Sequence, residues 1–478
     1  MSTGRWKNLK QVIAQEQARD WPVDFPTYWS IDAPPSLLPQ KKYCDITGLP
    51  AKYTDPKTNV RYHSAEVYQI VKTLPPGSEQ LYLALRNANI LSVNVMALRL
   101  GRAFRTSVAP MIDVTDPYFL RLLRLISPFG NHRLWTEMVH ANAFSRGRIH
   151  QDPKKLSQHL PLHELQSDFA SGIVVQIGAS HPDDAFSAVS ELANLGVRHV
   201  NLNCGCPSRN VQMGSFGAVL MKSPEHTADI VRAMSEAASR DGRENLTVSV
   251  KCRIGIDEDE SPEFLRRFLS TVSSRGRASC GSDIEFILHT RRAWLNGLSP
   301  EQNRTIPQLN YARAYEMIEE YPQTSFIVNG GLDTVEAVEE HLRVADGVMI
   351  GRKIREDPWF LSQLDQHIYG IATDQIPDPI GVLTEYAGFV DQVHEAHGTR
   401  YSVLARPLFG FFHGRKGRVL RRHLAHAVAQ VKPLGKGVVD QRHSVRFSEL
   451  LQDALAKSEM EHAQSIADEE YVKVAQIG

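Results

Sequence analysis

The run Asn201-Leu202-Asn203-Cys204-Gly205-Cys206-Pro207 closes an apolar stretch, Val197 to Leu202, in asparagine, glycine, cysteine and proline. It leaves the thiol of Cys206 on a rigid turn at the C-terminal tip of a strand. A structural cysteine needs no such setting. A cysteine that gives a proton to a substrate does, because its geometry must be fixed from behind. The competing reading of the heptapeptide alone is a turn with an incidental cysteine. Other segments break off in the same manner: Lys251 and Arg253 end one apolar run, Asn329-Gly330-Gly331 another, and Gly351-Arg352 a third. Glycines there let backbone N–H groups approach an anion closely, and Arg352 can add a charge-assisted contact.

Such residues need a scaffold that gathers strand ends. After Met96 the chain alternates between strand-like and helix-like segments. Eight strand-like runs are Ser107–Met111, Leu134–Val139, Gly172–Gly178, Val200–Gly205, Thr247–Arg253, Ile284–Arg291, Ser325–Gly331 and Gly347–Arg352. Most precede amphipathic stretches such as Pro182–Leu195, Pro224–Ser239, Pro262–Ser274 and Thr334–His341, long enough to cross back between parallel strands. Eight such units over about 250 residues predict an α/β fold, a (β/α)8 TIM barrel; a doubly wound sheet is the alternative. In a barrel, chemistry gathers where strands end. Here the ends deliver Pro110-Met111, Glu137, Gln176, Asn203 with Cys206, Lys251 with Arg253, His289, Asn329 to Gly331, and Gly351-Arg352.

The glycines after strands seven and eight form the usual phosphate-gripping corner of a barrel. Lys251 and Gln176 fall across the mouth from it. A lysine facing the N1/O2 edge of an isoalloxazine stabilises the charge of a reduced flavin, and a glutamine can pair with the ring's polar rim. The set suits FMN. The competing readings are a strand-end charge in solvent for Lys251, and ordinary packing for Gln176 or His289 taken singly. No GxGxxG follows a strand, so a dinucleotide fold is not indicated.

Residues from about Arg102 to Leu455 resemble the flavin-dependent tRNA-dihydrouridine synthases, specifically their A branch. The matching segments are Ala109-Pro110-Met111, Asn201–Val211, Phe216–Met221, Val250–Ile256, His289–Pro307, Val328–Leu332 and Gly347–Arg352. The resemblance implies that Pro110, Met111, Ile112, Gln176, Lys251, His289, Asn329, Gly330, Gly331, Gly351 and Arg352 bind FMN. It implies that Cys206 protonates C5 of uracil while hydride reaches C6, and that NADPH reduces the flavin in a separate half-reaction. Asn203 would hold the flipped base, with Arg253, Arg304 and Arg406 as further substrate contacts. The substrate would be tRNA, at D-loop uridines around positions twenty and twenty-a. Reducing a C5–C6 bond requires access to the ring faces, so the base must leave its stack. A thiol that delivers the proton must carry it at the start, unlike a nucleophilic cysteine. Cys204, where an aliphatic residue is more usual, and Val114, where an aromatic often stands, depart from the branch without removing a named group.

The first 95 residues read as a separate module, rich in Pro, Tyr and Trp, with turns at Pro34-Pro35, Asp45–Gly48 and Pro75-Pro76-Gly77. Short strands are expected around Lys41–Cys44 and Arg61–His63. A helix is expected from Ser64 to Thr73, with Val67, Ile70 and Val71 on one face. Cys44 and His63 have no evident partners. Asn8–Ala14, Tyr28–Gly48 and Tyr53–Ile90 resemble the sixth Ies subunit of the Ino-eighty chromatin remodeller, and Tyr43 onward resembles the C-terminal module shared with YL-one proteins. That resemblance implies a nuclear protein-interaction module without catalysis and chromatin-remodelling subunits as partners. The expected organisation is thus 1–95 interaction module, 102–370 FMN-binding barrel, and 371–478 helical basic tRNA-binding domain and tail.

Composition bounds the rest. With 42% hydrophobic and 23% charged residues the chain reads as soluble and globular. No apolar run reaches the roughly 20 residues of a membrane span, and the polar, basic Met1–Lys10 is no secretory signal. Five scattered cysteines suit a reducing compartment. A lone CxC gives no zinc set, so no metal is expected. The net charge is zero. Even so, His397 to Arg446 holds eleven Lys or Arg (Arg400, Arg406, Arg415, Lys416, Arg418, Arg421, Arg422, Lys432, Lys436, Arg442 and Arg446) against Asp440 alone. That excess is a polyanion footprint, strengthened by Phe409, Phe411 and Phe412 beside Arg406; a solvated basic face is the competing reading. Three readings of the whole chain stay open: a tRNA flavoenzyme with an interaction module, a remodeller subunit with a passenger barrel, and two neighbouring genes joined near Leu91–Leu100, where no linker composition appears. Nuclear and cytoplasmic locations both fit, and a mitochondrial one is compatible.

Overall fold

The computed structural model describes residues 42–55, 60–73, 104–240, 246–277, 283–412, 414–431 and 445–459. The turns at Pro34-Pro35 and Pro75-Pro76-Gly77, the join at Leu91–Leu100, Asn8–Ala14, and Lys432, Lys436 and Arg442 lie outside the described residues. The chain divides into two compact units, Met1–Leu98 and Arg99–Gly478.

In the larger unit eight parallel strands close on themselves. They are β1 (Thr106–Val108), β2 (His132–Trp135), β3 (Ile173–Gly178), β4 (His199–Cys204), β5 (Thr247–Arg253), β6 (Glu285–His289), β7 (Phe326–Asn329) and β8 (Gly347–Ile350). Each pairs with its successor, β8 pairs with β1 (Met349 opposite Ser107), and β2 meets β3 with Leu134 opposite Ile173. The barrel is the one the strand pattern predicts. One run is divided: the ladder breaks after Trp135 and resumes as Val139–His140 beside the end of β3. The cause is local, because Glu137 donates its N–H to the Thr115 carbonyl at 3.2 Å.

The crossover helices start where the sequence provides caps. In α1 (Pro117–Ile126), Asp116 accepts the Phe119 N–H at 2.8 Å, and in α4 (Pro262–Arg275) Ser261 accepts the Phe264 N–H at 3.2 Å. These two, with α2 (Pro182–Asn194) and α3 (Pro224–Ser239), carry proline in the first turn, where its missing N–H costs nothing. Helices α5 (Tyr311–Glu320), α6 (Val335–Leu342) and α7 (Phe360–Tyr369) complete the ring. Beyond it, α8 (Pro379–His397), α9 (Gly414–Gln430) and a helix over 447–459 pack together. There Tyr386 donates to the Leu404 carbonyl, and Asp391 caps the last helix through the Phe447 N–H.

The core has two parts. The main apolar layer lies between strands and helices. A smaller plug of Ala109, Trp135, Val174, Ile287, Ile327 and Met349 fills the barrel itself. Side chains alternate along a strand, so residues two positions further on share the inward face. Gln176 follows Val174, His289 follows Ile287, and Asn329 follows Ile327. A polar layer is thereby stacked on the plug, at the C-terminal end of the barrel.

Among the described residues of the small unit, Tyr53–Thr54 pairs antiparallel with Arg61–Tyr62 and one helix covers Ala65–Thr73. The strand expected around Lys41–Cys44 is reduced to a single bridge, Tyr43 to Pro50, because Cys44 to Gly48 turns back on itself with Gly48 at φ +70°. Ser64 caps the helix, its hydroxyl accepting the Val67 N–H at 3.4 Å. Val67 and Val71 are buried, whereas Ile70 is 46% exposed and leaves the predicted face. Cys44 and His63, expected to be without partners, are brought together by that turn. Thr47 bridges to the His63 ring at 3.1 Å, and the Cys44 thiol settles at about 7, burial pushing it up while hydrogen bonds with His63 and Thr47 outweigh that.

Candidate active site

The Cys206 turn is built by Asn203. Its Oδ1 accepts the N–H of Gly205 at 3.1 Å and of Cys206 at 3.0 Å, which locks the chain just past β4. Its Nδ2 donates to Gln176 Oε1 at 2.8 Å, Gln176 donates to Asn201 at 2.8 Å, and Asn201 donates to Ser249 at 2.9 Å. This chain of amides runs across β3, β4 and β5 and leaves little freedom behind the thiol. From the other side Ala218 donates to the Cys206 carbonyl at 2.9 Å. A Cβ on Gly217 would lie 2.6 Å from that carbonyl oxygen, so only glycine permits the approach.

Two further side chains tie the turn to the long loop after β6. Gln212 donates to the Pro207 carbonyl at 2.8 Å and to the Leu295 carbonyl at 2.6 Å. Arg253, 3% exposed, donates to the carbonyls of Gly205, Arg292 and Asn303 at 3.1–3.3 Å. Asn303 in turn closes the loop that carries Arg304, accepting from Trp294 and donating back to it. The thiol and Arg304 therefore belong to one cross-braced assembly.

Across the mouth, Lys251 donates to Asn329 Oδ1 at 3.0 Å, and Asn329 donates to the Met349 carbonyl at 2.8 Å. Burial, aided by Arg253, draws the Lys251 ammonium down to about 7. Burial and the same cations hold His289 well below its ordinary range, so its imidazole is neutral. Gly330 and Gly331 sit at φ +123° and +68°, where side chains are strained, and a Cβ on Gly331 would stand 2.6 Å from Leu309. Neither N–H has an acceptor among the described residues. Two open peptide donors, Arg352, the Lys251 ammonium and the Asn329 amide thus line one cavity, a set that suits an anionic group and a polar ring edge.

One cavity gathers Cys206, Asn203 and Gln176, with Lys251, Arg253 and Arg304. It also takes in Pro110–Ile112, His289, Asn329–Gly331, Gly351 and Arg352. Of the residues singled out in the sequence, Arg406 stands apart, exposed on an adjoining cleft. Glu137 also misses the cavity. The break after Trp135 turns Met138 inward instead and leaves Glu137 in a hollow beside Asp116. There burial and Asp116 raise its carboxyl to about 7. Sequence reasoning missed Met138, Asp333 and Arg355 as cavity residues. Arg355 was within reach, three positions after Arg352 on one helical turn. The other described cysteines do not compete with Cys206. Cys204 and Cys252 face each other across β4 and β5, fully buried, with burial pushing Cys204 well up and Cys252 to about 12.

A closed parallel barrel that seats a thiol against a cationic, glycine-walled corner defines a cofactor-dependent (β/α)8 enzyme. Sequence comparison narrows the class. Residues 107–448 match the dihydrouridine synthase (Dus) family, so the chain belongs to that family and is an oxidoreductase. Relatives named tRNA-dihydrouridine(20/20a) synthase include those of Shewanella oneidensis, 38% identical over 68% of this chain and 89% of theirs, and Escherichia coli K12, 38% over 67% and 86%. That of Vibrio vulnificus is 36% identical over 74% and 96%. Residues 43–71 match the YL1 nuclear protein C-terminal domain. No helix among the described residues is long and apolar enough to cross a membrane.

Proposed function

We propose that this protein reduces uridine to 5,6-dihydrouridine in the D-loop of tRNA, around positions twenty and twenty-a, using FMN with NADPH as reductant. The observation that carries the reading is the partly buried Cys206 thiol, braced from behind and opening onto the cavity that Lys251, Gly330 and Gly331 also line. When bound and reduced, FMN supplies the hydride that adds to C6 of the base. Gly330, Gly331, Gly351 and Arg352 hold its phosphate, while Lys251 and Asn329 meet its polar edge. Pro110, Met111, Ile112, Gln176 and His289 complete the seat.

Cys206 donates the proton to C5, so that hydride and proton together saturate the C5–C6 bond. Asn203 faces the pyrimidine and fixes the donor turn. Arg253 and Arg304, close enough to feel the Cys206 charge, stabilise the thiolate that remains and the polar edge of the substrate. The names of the relatives and the basic helical segment beyond the barrel support tRNA as substrate. The test is biochemical. Purified protein should carry flavin and, with NADPH, should form dihydrouridine in tRNA from a strain that lacks it; failure to do so with flavin bound would refute the reading.

A second role is favoured for the N-terminal module. Its match to the YL1 nuclear protein C-terminal domain and its exposed Tyr43, Leu49, Tyr53 and Ile70 support a protein-interaction surface, with chromatin-remodelling subunits as the partners to test. Co-purification of defined remodeller subunits with the full chain, lost on Leu49→Asp, is the expected result.

A further inference from the structure

Beside the flavin cavity lies a second cleft of about 850 Å³, and the two share Val114 and Arg355 as lining residues. We propose that this cleft is a subsite for the nucleotide that flanks the reduced uridine, its base stacking on Phe409 and its phosphate meeting Arg355 and Arg406. The proposal rests on the RNA substrate proposed above.

A base extruded into the cavity stays covalently joined to its neighbours, so one of them must leave through the mouth. The shared wall makes the cleft a continuous path for it. Phe409 stands there 42% exposed. Its neighbours are accounted for by packing: Phe411 is buried against Trp359 at 5.2 Å and against Phe412 at 4.9 Å. Phe409 is the ring of the three left to solvent, yet its backbone is fixed. Arg421 donates to the carbonyls of Phe409 and Phe412, both at 3.0 Å, which holds the platform still before any ligand arrives.

The charges in the cleft can be exchanged. Among the described residues Arg355 pairs with exposed Glu356 alone, at 3.0 Å, while Lys353 is held by Asp357 at 2.9 Å. An exposed pair such as Arg355–Glu356 is weak and yields to a phosphate. Asp116, whose carboxyl feels the charge of Arg406, is committed as the N-cap of α1. Asp113, the remaining acid, lies in the left-handed turn at φ +62°. An aromatic platform flanked by arginines is how single-stranded nucleic acid is held without reading its sequence.

The test pairs a variant with a modified substrate. Full-length holoprotein carrying Phe409→Ala should reduce flavin with NADPH as wild type does and melt at the same temperature. Its kcat/KM for tRNA should fall about 10-fold, the scale of one lost base stack. Phe409→Trp should restore it. Wild type should lose a similar factor on tRNA in which one of the two flanking bases is replaced by an abasic site, and the variant should lose nothing further on that tRNA. A Phe409→Ala variant within two-fold of wild type, or losses that multiply fully on both abasic tRNAs, would overturn the subsite. Wild-type protein inactive on every tRNA would instead remove the function on which the subsite rests.

Discussion

Between Tyr43 and Ile70 four large apolar side chains stand in solvent, Tyr43, Leu49, Tyr53 and Ile70. The far longer stretch from Phe104 onward exposes six among its described residues. Of those six, Ile112 lines the Cys206 cavity and Phe409 the adjoining cleft. The barrel buries a continuous core and can afford a polar layer inside it, where amides, an ammonium and a thiol are held by hydrogen bonds. Among its described residues the small unit shows one small cluster, Val60 and Val71, with Ile46, Tyr62 and Tyr68 packed on them. A cluster of that size does not itself enclose a site. The cysteines follow the same division. Cys44 is perturbed but 3% exposed in a turn, whereas Cys206 is only partly buried and opens on a cavity.

The division can be broken most sharply at Cys206. Cys206→Ala should retain flavin and its reduction by NADPH while dihydrouridine formation falls about 100-fold or more, the range of general-acid contributions; steady-state turnover near wild type would remove the proton donor. Next in size is Lys251. Its ammonium titrates near 7, so the activity that depends on its charge should be full below that pH and decline as pH rises through it. A pH–rate profile of wild type against Lys251→Arg checks this: the alkaline limb should move upward in the arginine variant, and an unmoved limb would assign it elsewhere. Gln212→Ala removes one of the two braces between the donor turn and the Arg304 loop. Turnover with tRNA should drop about 10-fold with flavin reduction unchanged, as expected when a proton donor is slightly misplaced. An equal loss in both half-reactions would mark Gln212 as merely structural. The smallest effect belongs to the other unit: Ile70→Asp should leave tRNA reduction within about two-fold of wild type, and a large loss would show that the two units share one function.

Much of this is legible in the sequence. The eight strand runs were readable because parallel barrel strands are buried on both faces and end in glycine or polar residues. Lys251, His289 and Asn329 were readable because each stands on the inward face where a strand ends, and Cys206 because an apolar run breaks off there in a glycine and proline turn. Glu137 was misplaced because a single backbone bond to Thr115 interrupts β2, and no residue pattern announces that break. Asn203 was read as a base contact, but its amide also builds the donor turn, a fact that depends on three hydrogen bonds closing in space. Arg253 was read as a substrate contact, and its burial against three carbonyls depends on a loop nearly forty residues away in sequence. In the small unit the Cys44–His63 encounter escaped notice because a turn, rather than a periodic element, creates it.

The central claim is that a pyrimidine fits between the sulfur of Cys206 and the flavin. A determined structure of the holoprotein with tRNA tests it most directly. The expected result is a flipped uracil stacked on the flavin with C5 about 3–3.5 Å from that sulfur, the separation of reacting atoms in a productive complex. A base bound with C5 turned away from Cys206, or a sulfur too far from the flavin for a nucleobase to bridge them, would contradict it.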